Sequence, residues 1–247
     1  MCRDVLRDSP YGDHPWEPDE QAVMRRLVRR GEVALDIGAH FGEHSVLLAM
    51  LVGSEGRVVA FEPNPDRLDS LRRTVMQHGN GEVLPFAVAD GTGPVTLYVP
   101  EFHVTASLAD WTENRVGSIR EVACEQVSLD ALVARGAVPQ PDFIKCDVEG
   151  AELLAFRGAI RTLDRRDAPI VMYEANLPGA RAFGCSIAAS TEFLAQLPAP
   201  SYSFFWVQPH GTLVPVRELR PDVELFNLVA VPEAKRDRVS QRAASAV

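Results

Sequence analysis

The stretch "ALDIGAHFGEHSVLLA", residues 34–49, carries two readings that exclude each other. His40-Phe41-Gly42-Glu43-His44 spells H-x-x-E-H, the order of an inverted zinc-peptidase helix. That reading needs one unbroken helix so that both histidines share a face. Gly38 and Gly42, straight after an apolar run, instead put His40 in a turn and leave only His44 on the helix. The alternative is a glycine loop between a buried strand and a helix, a place where nucleotide-like ligands are received. The rest of the chain favours the loop.

Upstream, "PDEQAVMRRLVRR" predicts an amphipathic helix, with Pro18 near its start, acids in the first turn and arginines in the last. Downstream, "GRVVAFEPNP" is a second apolar strand. Asn64 and Pro65 are a good N-cap and first residue for the helix "DRLDSLRRTVMQHG". "GEVLPFAVAD" predicts a third strand ending at an acid. Strands alternating with helices, and apolar almost throughout, indicate a parallel sheet covered on both faces. The rhythm breaks at "GPVTLYVP" and "SIREVACEQV", two antiparallel strands around an irregular segment. It resumes with the strand "DFIKCDV", the helix "GAELLAFRGAIRTL" and the strand "PIVMYEANL". A helix around "STEFLAQL" and three strand-like runs close the chain. The expected organisation is an N-terminal arm at 1–17, one domain at 18–232 with an insertion at about 94–127, and a mobile tail at 233–247.

The chain has 247 residues, 46% of them hydrophobic, enough for one sizeable α/β core. Its net charge of −9 argues against nucleic acid as the main partner, since phosphates call for a basic face. The four cysteines show no paired spacing and read as cytosolic thiols. No secretory signal and no membrane-length apolar run is visible, so the expected location is the cytoplasm. Oligomeric state is not readable.

In doubly wound sheets ligands sit beyond the carboxyl ends of the strands. Four such ends carry an acid: Asp36, Glu62, Asp90 and Asp147. Glu62, 26 residues after Asp36, stands where an acid meets ribose hydroxyls. Asp90 is placed to accept from an adenine amino group. The loop is Gly38-x-x-x-Gly42, and His40 fills the place where a pyrophosphate-binding loop has its middle glycine. Histidine tolerates the unusual backbone angles of such a turn better than most residues. An acidic site without neighbouring Arg or Lys repels phosphates, and suits an adenosine ligand bearing a sulfonium cation, which describes S-adenosylmethionine. A nicotinamide oxidoreductase or epimerase is the rival, but the third glycine is out of register and no Tyr-x-x-x-Lys pair is present. A catalytically inactive cofactor-binding module is a further alternative, against which the four retained acids argue.

The segments "LDIGAHFGEHSVLLA", "VVAFEPNPDRLDSLRR", "AVAD", "SLDALV", "DFIKCDVEGAELLAFRGA" and "IVMYEAN" occur in this order and resemble FkbM-type methyltransferases over roughly residues 16–231. The resemblance implies a class I, Rossmann-like fold: a mostly parallel seven-stranded sheet, one C-terminal antiparallel strand and a β-insertion after strand 3. It implies S-adenosylmethionine as cofactor and O-methylation of a hydroxyl on a small molecule, sugar or natural product. Carried across, Asp36, Gly38, Ala39, His40, Phe41 and Gly42 line the methionine and ribose side. Glu62 takes the ribose hydroxyls, Pro63 and Asn64 lie beside the nucleoside, and Asp90 faces the adenine. His40 stands where the family usually has Asn.

The fourth strand aims its end at the sulfonium methyl in this fold. Alternation puts Lys145 and Asp147 on one side and Cys146 on the other. Asp147 is the candidate general base, or the ligand of a metal that acidifies the hydroxyl. Lys145 orients the substrate or merely pairs with Asp147 or Glu149, and His103 in the insertion is an alternative base. Glu174 could complete a magnesium site with Asp147 and Glu149. The favoured reading has no metal, with Glu149 and Glu152 serving the helix that begins near Gly150. The amine-methylating pattern N/D-P-P-Y/F is absent.

Overall fold

The computed structural model describes residues 17–101, 106–111, 118–218 and 224–240. In chain order, α1 (Pro18–Leu27), β1 (Val33–Ile37), α2 (Glu43–Val52), β2 (Arg57–Phe61), α3 (Pro65–Met76) and β3 (Gly81–Leu84) make the first half. Next come β4 (Phe86–Val88), β5 (Gly93–Pro100), β6 (Ile119–Val127) and α4 (Leu129–Ala134). Then β7 (Phe143–Cys146), α5 (Glu152–Arg157), α6 (Ile160–Leu163), β8 (Ile170–Asn176), α7 (Leu177–Ala182) and α8 (Ala189–Ala195) resume the alternation. β9 (Ser203–Gln208), β10 (Thr212–Pro215), β11 (Leu225–Val231) and α9 (Asp237–Ser240) complete the described chain.

The main sheet runs β10-β9-β11-β8-β7-β1-β2-β3. β1 is central, parallel to β2 on one side and to β7 on the other. Its alternation explains why both faces are apolar: Leu35 and Ile37 join one buried cluster, Ala34 the other. Each large side chain so buried contributes roughly 1.5–3 kcal/mol. Helices start where the sequence places caps. Asn64 Oδ1 accepts the N–H of Asp66 at 3.1 Å, and Ser128 Oγ that of Ala131 at 3.2 Å.

Among the described residues the main sheet has eight strands where seven were expected. β11 runs antiparallel to both β8 and β9, as a reversed C-terminal strand should, but Thr212–Pro215 also folds back on β9 as an edge hairpin. The expected third strand is broken at Pro85, which cannot donate to a ladder. β3 stays in the main sheet, while β4 leaves it and pairs with β6 in a separate sheet of order β4-β6-β5. The helix expected over "GAELLAFRGAIRTL" divides into α5 and α6 at Gly158. A Cβ there would lie 2.0 Å from the carbonyl oxygen of Ala89, so the glycine admits the end of β4. Part of the expected mobile tail is fastened. Arg238 donates to the Leu27 carbonyl at 3.0 Å and pairs with Glu32, and Lys235 Nζ donates to the Asp142 carbonyl at 3.1 Å. Among the described residues no helix is long and apolar enough to cross a membrane.

Candidate active site

A cleft of about 320 Å³ opens over the carboxyl ends of β1, β2, β7 and β8, within the range typical of small-molecule sites. The glycine loop is its wall. Gly38 (φ 85°) and Gly42 (φ 93°) occupy the left-handed region, and so does His40 (φ 52°) between them. A Cβ on Gly38 would sit 1.9 Å from the carbonyl oxygen of Asp147, so the loop and the end of β7 can approach only through a glycine. The loop is tied to β2 as well. Gly38 and Ala39 donate to the Phe61 carbonyl at 3.0 and 2.9 Å. Glu62, buried, accepts the N–H of His40 on Oε2 and that of Asn64 on Oε1, both at 2.8 Å.

Asp36 lies under the loop rather than in it. It is fully buried, accepts from Ser45 Oγ at 2.6 Å and has Lys145 Nζ at 3.9 Å. Burial raises its pKa, and Lys145 and Ser45 oppose that. Lys145 bridges to the cleft, donating to Asp147 Oδ2 at 3.0 Å. Burial alone would lower its pKa, but Asp147, Asp36 and Glu17 outweigh it and hold the ammonium charged. Lys145 is therefore a poor proton acceptor, its ammonium held against Asp147.

Asp147, Glu149 and Glu174 each place a carboxylate oxygen within 4.8 Å of the others. The acid pair at the helix start divides its labour. Glu152 Oε1 accepts the N–H groups of Val148 (3.0 Å) and Gly150 (3.3 Å), the helix-serving role. Glu149 instead sits in the left-handed region (φ 55°) and its Oε2 accepts from Asn176 Nδ2 at 3.0 Å. The corner holding it is tight: Gly150 (φ 98°) packs so closely on Gly179 that a Cβ would lie 2.4 Å from its carbonyl carbon. Burial, reinforced by Asp147 and Glu149, pushes the Glu174 carboxyl up to about 11. Burial and then Asp147 raise Glu149 well above the carboxylate range. Burial lifts Glu17 to about 8. His40 falls to about 4 through burial and the Arg67 and Lys145 charges, and burial keeps His44 neutral too.

Of the residues expected in the site, Gly38, Ala39, His40, Glu62, Pro63, Asn64, Lys145, Asp147, Glu149 and Glu174 line the cleft. Phe41 and Gly42 support it from behind. Phe41 lies edge-on to His40 with the Arg67 guanidinium 4.3 Å over its ring, and Gly42 abuts Leu71. Asp90 is not brought in. It is exposed beyond the end of β4, although Phe86, Ala87 and Val88 of that strand line the cleft. His103 lies outside the described residues. Tyr202, Phe204, Phe205 and Trp206 pack against the core, while Trp111 does line the cleft, its Nε1 unpartnered. Glu17, Glu43, His44, Asn176 and Leu225 also line it, and of these only His44, on the helix after the glycine loop, was marked by the sequence. Ser107 of the insertion donates to the Glu149 carbonyl at 2.9 Å, which seats the insertion against the site.

The profile of the methyltransferase FkbM domain matches residues 36–198. The chain belongs to the FkbM methyltransferase family. Hexuronic acid methyltransferase AglP of Haloferax volcanii is 31% identical over 163 residues, 64% of this chain and 64% of that protein. The alignment thus spans less than two thirds of the relative's length. A protein-L-isoaspartate O-methyltransferase of Methanopyrus kandleri is 33% identical over 128 residues, 47% of this chain and 57% of that one. Among solved structures, an O-methyltransferase from Bacillus cereus in complex with SAH aligns with a TM-score of 0.52 at 16% identity, covering 89% of this chain and 84% of that one. The likeness establishes the class I methyltransferase fold. The cleft of this FkbM methyltransferase lies at the strand ends where the fold's topology places a ligand.

Proposed function

We propose that this FkbM methyltransferase methylates a hydroxyl oxygen of a sugar-like acceptor. The observation that carries the reading is the acidic lining of the cleft. Glu17, Glu43, Glu62, Asp147, Glu149 and Glu174 line it, and Lys145 is the one Lys or Arg among its described lining residues. Such a lining disfavours a pyrophosphate and suits a sulfonium nucleoside. S-adenosylmethionine fits the donor set present. Glu62 has used one acceptor site on each oxygen for the loop, and a carboxylate retains further lone pairs for ribose hydroxyls. The loop from Gly38 to His40 supplies backbone for the methionine side, and Pro63 and Asn64 flank the nucleoside. When bound, the cofactor supplies an electrophilic methyl group.

The chain's own part is to hold the acceptor and deal with its proton. Lys145 fixes Asp147 Oδ2, which leaves Oδ1 for the acceptor oxygen. Asp147 either takes the hydroxyl proton on Oδ1 or holds the ion argued for below. Trp111 Nε1–H, buried and unpartnered, is a donor for a polar acceptor. Orientation of the acceptor against the methyl group is where most of the acceleration arises in a displacement of this type. The name of the Haloferax volcanii relative, a hexuronic acid methyltransferase, supports a sugar-like acceptor here.

The test is calorimetric titration of S-adenosylhomocysteine into the protein, followed by transfer of labelled methyl to uronic-acid glycosides, neutral glycosides and isoaspartyl peptides. Binding with transfer to a glycoside supports the reading. Absence of binding, or transfer to the peptide alone, overturns it.

A further inference from the structure

We propose that Asp147, Glu149 and Glu174 form a binding site for a hard divalent cation at the base of the cleft. The three ligand oxygens lie within 4.8 Å of one another, about the span of two oxygens on opposite sides of an ion at 2.4 Å. An acidic cluster alone would say little. The second observation is Glu174. It is only 8% exposed, its carboxylate reaches the cluster from β8, and its Oε2 has no hydrogen-bond partner. A buried acceptor left without a donor is costly, and this one faces the carboxylates of Asp147 and Glu149. A divalent cation among them would satisfy all three.

The other two ligands are prepared for the same task. Asp147 spends Oδ2 on Lys145 and Glu149 spends Oε2 on Asn176, so each offers its second oxygen. Glu149 is held in the left-handed region, a conformation costly for a non-glycine residue, by a corner packed on Gly179. That corner turns its carboxylate toward β8, away from the helix start that Glu152 already serves. Asn176 is a positioning residue, fixing the ligand carboxylate as outer-shell partners do. Lys145 lies between Asp147 and Asp36 (3.0 and 3.9 Å) and so offsets at most part of the cluster's charge. With oxygen donors and no Cys or His, the site selects magnesium, manganese or calcium over zinc.

The site deepens the function proposed above and, for its role in catalysis, rests on it. Six acidic side chains offer a sugar acid no attraction. An ion on three of them reverses the local charge, and can take an acceptor oxygen in a coordination position left open by the protein. The class of acceptor this implies is one that chelates: a hydroxyl adjacent to a carboxylate or to a second hydroxyl.

The experiment is titration of manganese into the full chain, freed of metal, by calorimetry and by the loss of the free-ion electron paramagnetic resonance signal. Magnesium and calcium serve as competitors. The expected result is one site, weakened at least about ten-fold in Glu174→Gln and likewise in Glu149→Gln. Each variant is checked for folding by circular dichroism and for S-adenosylhomocysteine affinity, which should stay within about three-fold of the parent. No manganese binding by the parent, or binding unchanged in both variants, overturns the site. Manganese binding without S-adenosylhomocysteine binding would sink the methyltransferase reading and leave the ion site standing. The converse result would do the reverse.

Discussion

Glu62 holds the N–H of His40 at 2.8 Å, so the acid at the end of β2 fixes the shape of the loop that follows β1. The same carboxylate accepts from Asn64 at 2.8 Å. It therefore builds the cofactor wall before any ribose arrives. Glu62→Gln leaves one of those two N–H groups facing an amide donor. The expected loss is on the order of 1–3 kcal/mol in stability, together with at least a ten-fold weaker affinity for S-adenosylhomocysteine. Urea denaturation and calorimetry, run on the same preparation, separate the two effects. Unchanged affinity would remove Glu62 from the cofactor site.

Gly38→Ala tests the junction of the loop with β7. The new Cβ would meet the Asp147 carbonyl oxygen at 1.9 Å on a backbone with φ 85°. Neither backbone can yield without disturbing the pairing of β1 with β7. A loss of roughly 3 kcal/mol or more is expected, read as a fall in the thermal midpoint. A change of less than about 0.5 kcal/mol would mean that the two strand ends can separate freely.

Asp147→Asn is predicted to keep S-adenosylhomocysteine affinity within about three-fold while lowering transfer by at least a hundred-fold, the usual scale for general acid–base groups. Lys145 would retain Asp36 at 3.9 Å as its remaining anionic neighbour at the base. Single-turnover kinetics with labelled cofactor provide the readout. Full transfer by the variant would take Asp147 out of the mechanism.

His40 predicts a pH dependence whose sign follows from its neutral burial. Its pKa falls to about 4 in the folded chain, below the ordinary value of 6.5, through burial and the nearby Arg67 charge. Between those values the unfolded chain binds the extra proton, so stability from this group is present above pH 6.5 and lost as pH falls toward 4. Glu174 and Glu152, both raised by burial, slope the other way. Comparison with His40→Asn isolates the histidine. The variant should lose about 2 kcal/mol less than the parent between pH 6.5 and 4, after discounting for partial exposure. Parallel denaturation curves for the two proteins across that range would refute the assignment.

Much of the fold was legible in local pattern. Alternating apolar strands and amphipathic helices, the Asn64 and Ser128 caps and the Gly38–Gly42 loop each follow from residues a few positions apart. The departures share a cause. Pro85 could be seen, but not that the strand after it would join another sheet. Thr212–Pro215 could be read as a strand, but its place at the sheet edge depends on which partner β9 has already taken.

By itself the sequence determined the identity of the acids at the strand ends and the turn that only glycine permits, because backbone sterics and strand alternation act over a few residues. Tertiary structure decided which acids share a space. Glu17 and Glu174 are 157 positions apart by number, yet both line one cleft. Glu149 was separated from its neighbour Glu152 by a left-handed corner packed on Gly179. Burial and the mutual field of carboxylates depend on distance through space, and no spacing along the chain encodes them.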